Sequence, residues 1–556
     1  MRYRFLKKFR LIFALFAIAL ISSIFLDIYS FIPSVTAKHI AVTQFIPSLL
    51  SFIHTPSPVY LIFIFIILLT IFAGRNYCSF LCPLGIYQDI VSRLSFIRNK
   101  KKRYRFSEEN KFLRYSVLCL TLVSFPVMGT LLISWFDPFS MYGKFSATIA
   151  TPCLLWINNI IASLLAKFDI YSVHSIDIQY ADLIIILITA LILLLISIAA
   201  FFKGRLYCNS ICPVGTLLGL ISKISFLKIG ISKDGCIHCG KCESVCKSSC
   251  IKHKENHVDF TRCVSCFNCV NVCPNSSIKF VWTPVGAICN RPHMKQHPFT
   301  KQHFLPEKEI PTEKNTNEKH KSPIAYNAEG KIGRKSFITG LLFIPSILLG
   351  QKSDTKQVLY IQDISKQKQY KKKVFISPPG SLSVDNFNRH CTACHLCVTR
   401  CPSSALQPAV LQYGLTGIMQ PFLDFNAGYC NYDCTICGEV CPTGAIKRLD
   451  KSEKHFIQLG KANFIKENCI IHTNGTDCGA CAEHCPTKAA NMIPYKDNLV
   501  IPEINQAICI GCGACEYICP VRPMRAIYVE GNRVHEKAEV PKKDEDVIIK
   551  KDDFPF

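Results

Sequence analysis

The chain has 556 residues, of which 49% are apolar, only 19% are charged and 32 are cysteine. A mean hydropathy of +0.23, with the apolar excess gathered in the first 205 residues, excludes a cytosolic globular enzyme and a disordered chain. The formal charge of +25 excludes a strongly acidic protein, but it carries no case for nucleic acid, because membrane proteins gather Lys and Arg on one face.

Four stretches approach the 20 or so apolar residues that a helix needs to cross a bilayer core: residues 11–29, 57–73, 115–134 and 183–202. The second is short and must lean on its flanks. The first follows a basic start but no small-x-small cleavage site, which favours a retained anchor over a cleaved signal. Five Lys/Arg lie in the first ten residues, ten between Arg75 and Arg114, only Lys38 between spans 1 and 2, and two between Trp135 and Asp182. By the positive-inside rule the N-terminus, the second-to-third loop and the segment after span 4 face the cytoplasm. His39, His54 and His174 fall on the outer loops, where they are either ordinary surface residues or proton acceptors for a quinol.

Within this region Gly74-Arg-Asn-Tyr-Cys78-Ser-Phe-Leu-Cys82-Pro-Leu-Gly85 recurs as Gly204-Arg-Leu-Tyr-Cys208-Asn-Ser-Ile-Cys212-Pro-Val-Gly215. Residues 1–230 therefore read as an α-helical membrane domain of four spans in two repeated hairpins, each ending in a Cys-x3-Cys-Pro turn. Two-fold packing would bring Cys78, Cys82, Cys208 and Cys212 together. Two readings stay open for them: a metal or cluster site, or a redox-active or structural thiol set.

From residue 231 the spacing changes. Cys236, Cys239, Cys242 and Cys246, then Cys263, Cys266, Cys269 and Cys273-Pro, form the bacterial ferredoxin run. Three close thiolates hold one [4Fe–4S] cube and the fourth reaches the partner cube. This assigns Cys236, Cys239, Cys242 and Cys273 to one cluster and Cys263, Cys266, Cys269 and Cys246 to the other. Lys247 replaces the usual Pro. Zinc ribbons use separated pairs instead of such triplets.

Residues 281–332 read as a polar linker. Residues 333–350, opening Gly333-Arg-Lys-Ser-Phe, look like either a twin-arginine export signal with Lys335 in the second Arg position or a short interfacial helix. After a connector (351–385), residues 386–530 hold four more groups: Cys391, Cys394, Cys397 and Cys401; Cys430, Cys434, Cys437 and Cys441; Cys469, Cys478, Cys481 and Cys485; Cys509, Cys512, Cys515 and Cys519. Regular groups lie outside and irregular ones inside, which favours nested pairing, first with fourth and second with third, over sequential pairing. The Gly-flanked Cys512 lets backbone N–H groups approach sulfur. Cys391-Thr-Ala-Cys394-His395 also matches a haem-attachment motif, but it sits inside a full ferredoxin run. The triplet spacing suits a cube better than disulfides. Cys119, Cys153, Cys250 and Cys289 fit no group, and those in or near spans read as apolar packing. Residues 531–556 read as a charged tail.

On these motifs residues 1–280 resemble the membrane ferredoxins of the NapH type from periplasmic nitrate reductase systems. Residues 333–530 resemble their NapG-type polyferredoxin partners, as if the two were fused. The cysteine groups point to α+β ferredoxin-like modules and six [4Fe–4S] clusters with room for a seventh, and the resemblance implies quinol oxidation in a bacterial inner membrane. It also implies a periplasmic reductase as redox partner; the charge pattern puts residues 231–280 in the cytoplasm, and the export-like reading of 333–350 puts residues 351–556 in the periplasm, where the interfacial-helix reading would leave them in the cytoplasm. The membrane half also resembles accessory proteins of copper oxidase assembly and methylamine dehydrogenase maturation. That leaves a second reading, a copper reductase or maturation factor working through the Cys-x3-Cys-Pro turns.

Overall fold

In a computed structural model the described residues are 4–98, 103–232, 235–282, 360–361 and 367–540. They belong to one compact unit formed by residues 1–287 and 358–556. Most of the expected linker, the whole 333–350 segment and Cys289 lie outside the described residues.

The axis of the unit is α1 (Arg4–Leu26), an apolar helix of 23 residues, about 35 Å long. At its N-terminal end Leu6 packs into the core of the first ferredoxin module, beside Cys246, Phe267 and Cys269. At its other end Ile21, Ile24 and Phe25 share a core with Phe387, Leu396 and Cys441 of the C-terminal module. The two modules therefore lie at opposite ends of the helix bundle. Other helices agree. In the helix Lys111–Met128, Arg114 at the start donates to Thr261 of the first module, and Thr130, just past the end, donates to Arg389 and Cys391 carbonyls of the second. In the helix Leu183–Lys203, Ile185 packs on Ala393 and Met419, and Arg205, just beyond the far end, bonds the Lys247 carbonyl.

Four helices are long and apolar enough to cross a membrane: Phe5–Leu26, Lys111–Met128, Pro138–Ala166 and Leu183–Lys203. Three correspond to expected spans. Residues 57–73 instead give a 3-10 turn, Pro58–Tyr60, and a helix α4 (Ile62–Ala73) of 12 residues, about 18 Å. The fourth long helix, Pro138–Ala166, lies in the expected outer loop. It was obscured by Pro138, Pro152 and the Asn158-Asn159 pair. A π turn at Ser146–Ala150 precedes Pro152, which lacks an N–H and is tolerated in the first turn of the helical segment that follows.

Two segments dip into the bundle and return. α2 (Ser34–Val42) and α3 (Phe45–His54) carry Ala37 and Ala41 on the C-terminal module's core. They turn at Gln44, which meets the Tyr77 hydroxyl at 2.9 Å, and come back to place Ser51 on the Pro442 carbonyl. The segment after the Lys111–Met128 helix behaves alike. From Thr130 it descends to Phe136, whose carbonyl accepts from Tyr207. Asp137 caps the next helix through Ser140, and that helix climbs past Ser22 until Asn158 meets Tyr29.

The first module pairs strand Leu227–Ile231 antiparallel with Ile278–Trp282. In the second, Ile457–Phe464 pairs antiparallel with Ile527–Lys537, a strand that crosses the expected boundary at residue 530. The connector is also built in: Ile376 accepts from the Leu423 amide and Val374 from the Gly531 amide.

Candidate functional site

The cysteines assemble in fours. Cys236, Cys239, Cys242 and Cys273 line one pocket of the first module, and Cys246, Cys263, Cys266 and Cys269 line the next, joined by Cys250. Both sets match the sequence expectation. In the C-terminal module Cys441 lies with Cys391, Cys394 and Cys397, and Cys401 lines a pocket with Cys430, Cys434 and Cys437. Cys519 lines another with Cys469, Cys478 and Cys481, and Cys485 lies with Cys509, Cys512 and Cys515. Pairing is therefore first with second and third with fourth, which corrects the nested expectation. The reason is local: the chain leaving each fourth Cys folds straight back onto the following group. The second and fourth groups then touch, the Cys430 amide donating to the Cys512 carbonyl at 2.9 Å.

Backbone geometry shapes these groups. In all four regular runs the residues on either side of the second Cys have positive φ: His238 and Gly240, Ser265 and Phe267, Ala393 and His395, Gly511 and Gly513. Only one run has glycine at both places. A left-handed turn at Phe267 or His395 is unfavourable for an L side chain and persists where the surroundings impose it. Its effect is to aim N–H groups at sulfur. The amide two residues on donates to Cys263, Cys266, Cys391, Cys394, Cys509 and Cys512. Such donors stabilise thiolate ligands and tune cluster potential.

Burial pushes the Cys242 thiol up to about 11 and Cys481 up to about 12, so iron binding must displace protons there. Cys250 was not foreseen. It stands where three of the other groups have Ala405, Ala445 and Ala489, its sulfur 3.5 Å from that of Cys246. Hydrogen bonding from Cys250 lowers Cys246 to about 7. Cys119 and Cys153 are exposed on the outside of the bundle. His395 donates through Nε2 to the Met419 carbonyl at 2.6 Å, and Cys391 and Cys394 stand with Cys397 and Cys441, an arrangement of a ferredoxin group and unlike a haem attachment.

The Cys-x3-Cys-Pro turns meet. Cys82 interacts electrostatically with Cys78, Cys208 and Cys212, and all four are 3% exposed. Each sulfur has a donor: Arg75 to Cys78 at 3.8 Å, Gln88 to Cys208 at 3.2 Å, the Gly215 amide to Cys212 at 3.3 Å and the Gly85 amide to Cys82. The repeats exchange partners, Arg75 donating to the Cys208 carbonyl and Arg205 to that of Cys78. A Cβ on Gly85 would stand 2.4 Å from the Cys78 oxygen, and one on Gly215 2.3 Å from the Cys208 oxygen, so only glycine fits. Asp89 is held by Arg10 and Arg205 at 2.8 Å and Lys247 at 3.4 Å. Despite burial, which alone would raise it, these cations hold its carboxyl well below the usual range. Arg75, fully buried, has no carboxylate partner among the described residues. Its donors go to Asn209, the Thr261 and Cys208 carbonyls and Cys78. A buried guanidinium of this kind calls for a negative neighbour, which four metal-bound thiolates would supply.

Among the described residues no three His, Cys, Asp or Glu side chains converge closely enough for a single metal ion. A single zinc needs sulfur about 2.3 Å from one centre, whereas a cube takes one thiolate at each of four iron corners. The donor sets thus fit clusters better than single ions. The twenty-four ferredoxin cysteines would hold [4Fe–4S] groups, which supply one-electron transfer when bound.

The groups and their setting define an iron–sulfur protein of ferredoxin type. The family described as a 4Fe-4S binding domain matches residues 56–104 and 185–232, and a 4Fe-4S dicluster domain matches residues 476–523. The methylamine utilization ferredoxin-type protein MauM of Methylorubrum extorquens is 31% identical over 152 residues, 26% of this chain and 67% of that protein. The ferredoxin-type protein NapF of Escherichia coli K12 is 28% identical over 157 residues, 28% of this chain and 87% of NapF. NapG of the same strain is 29% identical over 156 residues, 26% of this chain and 66% of NapG. No solved structure matches. The chain belongs to the ferredoxin-type proteins that bind 4Fe-4S clusters and transfer electrons, and it carries four helices apolar enough to cross a membrane.

Proposed function

We propose that this is a membrane-anchored electron carrier fusing a NapH-like membrane half to a NapG-like module. It would take electrons from the quinol pool and deliver them to a partner reductase. Six [4Fe–4S] clusters would sit on the twenty-four ferredoxin cysteines and a seventh on Cys78, Cys82, Cys208 and Cys212. The first module would face the cytoplasm and the second the periplasm. Their attachment to opposite ends of a bundle about as thick as a bilayer core supports that sidedness, as does the basic first end. The exchange of Arg75 and Arg205 between the turns supports a two-fold relation of the repeats.

The observation that carries the reading is an unbroken succession of thiol groups. Cys242 interacts with Cys269, Arg205 interacts with both Cys208 and Cys266, and Asp137 interacts with both Cys212 and Cys394. Beyond, Cys397 reaches Cys437, Cys430 reaches Cys512 and Cys515 reaches Cys481. Copper reduction at the turns is disfavoured by their burial, which leaves a copper ion no access. The test is anaerobic purification with iron and acid-labile sulfide counts, followed by reduction of the protein in liposomes with a quinol analogue. About 28 irons and quinol-dependent bleaching are expected. Far fewer than two dozen irons, or no bleaching, would sink the proposal.

A further inference from the structure

In the C-terminal module the strands Leu406–Pro408 and Pro421–Leu423 pair antiparallel and are joined by a tip, residues 409–420. The pairing continues into the tip, with the Ala409 amide donating to the Gln420 carbonyl and the Met419 amide to the Ala409 carbonyl. Its two legs, Val410 and Ile418, pack with Ala393 and Met419 on Ile185 and Ile188 of the Leu183–Lys203 helix. The first turns of an apolar span are thus the wall against which this part of the ferredoxin module is built. Between the legs the chain turns outward. Leu411 is 61% and Leu415 76% exposed, and a Cβ on Gly414 would meet nothing within 4 Å.

An isolated exposed leucine is ordinary on any protein surface. Three features set this tip apart. It is uncharged: in a chain with 64 Lys and Arg, no Asp, Glu, Lys or Arg stands between Arg400 and Asp424. It adjoins the outward side of the span, where Leu183, Ile184 and Leu187 are exposed, so its leucines extend an apolar surface that a bilayer would cover. Tyr180, exposed at this end, suits headgroup depth. A protein interface carries a polar rim around its apolar centre, whereas this surface runs on into the span without one. The tip also satisfies donors from within, as hydrocarbon requires. Gln412 Oε1 accepts from both the Val410 and Leu411 amides, and the Gly414 amide donates to the Leu411 carbonyl at 2.9 Å.

We propose that this tip enters the bilayer leaflet at its end of the bundle, with Leu411 and Leu415 among the lipid acyl chains. Ile188 stands about 8 Å along the helix from Leu183, within the depth of about 5–10 Å at which interfacial apolar groups settle. The inference rests on the membrane reading above and adds a lipid contact made by the ferredoxin module itself. Ala393, between Cys391 and Cys394, shares its core with the two legs, and the Met419 carbonyl is the acceptor of His395. The lipid contact therefore holds the first C-terminal group against the membrane surface.

The test places the full chain, loaded with iron, in nanodiscs of phosphatidylcholine whose acyl chains are either plain or brominated near the headgroup. Bromine quenches tryptophan only on close approach. Trp156, exposed on the Pro138–Ala166 helix, reports in the parent whether the bundle lies in lipid. Leu411→Trp and Leu415→Trp should each add blue-shifted emission that is lost in brominated lipid and out of reach of aqueous iodide, at unchanged iron content. Ile493→Trp, on the Ala490–Pro494 strand, should add emission that bromine leaves intact. Quenching in either tip variant no greater than in Ile493→Trp, with Trp156 quenched, overturns the tip assignment and leaves the membrane reading standing. So does a tip tryptophan open to iodide, which is how a site awaiting a protein partner would behave. No quenching in the parent overturns the membrane reading and the tip assignment with it.

Discussion

Docking of the C-terminal module rests on a buried ion pair between Asp27, just beyond α1, and Arg400, one residue before Cys401. Side-chain exposure is 5% for the carboxylate and 3% for the guanidinium, and Arg400 also bonds the Ile32 carbonyl. In Arg400→Met the Asp27 carboxylate stays buried, held only by the Phe31 and Ile32 amides at 2.9 and 2.8 Å. Cutting one partner from a buried pair costs about 3–5 kcal/mol, and the two amide donors place this case near the lower figure. About 3 kcal/mol is roughly a hundredfold increase in the opening equilibrium. The Thr130 amide, which donates across the same interface to Arg389, is the reporter. Hydrogen exchange of the peptide containing it should quicken about a hundredfold while the first module is unchanged. In Asp27→Asn/Arg400→Met no charge is left stranded, and much of the protection should return. A change below threefold in the single variant, with iron content intact, would refute the reasoning.

Gly85→Ala and Gly215→Ala each push a methyl into a carbonyl oxygen at less than 2.5 Å. Overpacking of that order costs about 1–3 kcal/mol or more, and iron analysis should show about four irons lost, with the ferredoxin signals retained. Cys250→Ala should keep all iron but shift the potential of the neighbouring cluster negative, since a donor to the Cys246 sulfur is removed; redox-poised paramagnetic spectra check this. His535 bonds Ser377 through Nε2 at 3.0 Å, and burial lowers it to about 4. Its neutral form is the folded one, so stability is complete above the unfolded value of about 6.5 and falls as the pH drops towards 4. Between pH 7.5 and 5.5 the loss is about 1.3 kcal/mol. Exchange of the Ile527–Lys537 strand should show it in the parent and not in His535→Gln.

What the sequence disclosed follows from what is local. A cube's first three ligands lie within seven residues, so the spacing of Cys236, Cys239 and Cys242 displays them. The fourth comes from another group, and spacing says nothing about which; regular outer groups suggested nesting, whereas the fold brings Cys401 to Cys430 and Cys519 to Cys469. The charge pattern gave the ends of the bundle, because Lys and Arg at Arg10, Arg75, Arg114 and Arg205 all gather around the first module. Apolar content alone could not separate a full span from the half-length α4 with its partner α3. Nor could it reveal Pro138–Ala166, where proline and asparagine dilute the signal. The repeated Arg and Tyr of the turn motif were visible as repetition. Their roles, guanidiniums exchanged between repeats and hydroxyls holding two dipping segments, needed three dimensions.

The exchange of guanidiniums makes the two repeats interdependent. Alone, either would leave an arginine and two thiols facing an apolar interior, each short of its partner. Together they satisfy the carbonyls of Cys78 and Cys208 and leave Arg75, beside four sulfurs, without a carboxylate among the described residues. Protonated thiols cannot balance its charge and ligating thiolates can. Closure of the membrane half should therefore be coupled to metal loading at the turns, and the Cys78→Ser/Cys208→Ser chain should be more easily cleaved by protease around α4 and the Leu183–Lys203 helix even where its ferredoxin modules remain full. Equal protease resistance in parent and variant, at equal iron in the modules, would show that the junction closes without its metal and that Arg75 finds its balance elsewhere.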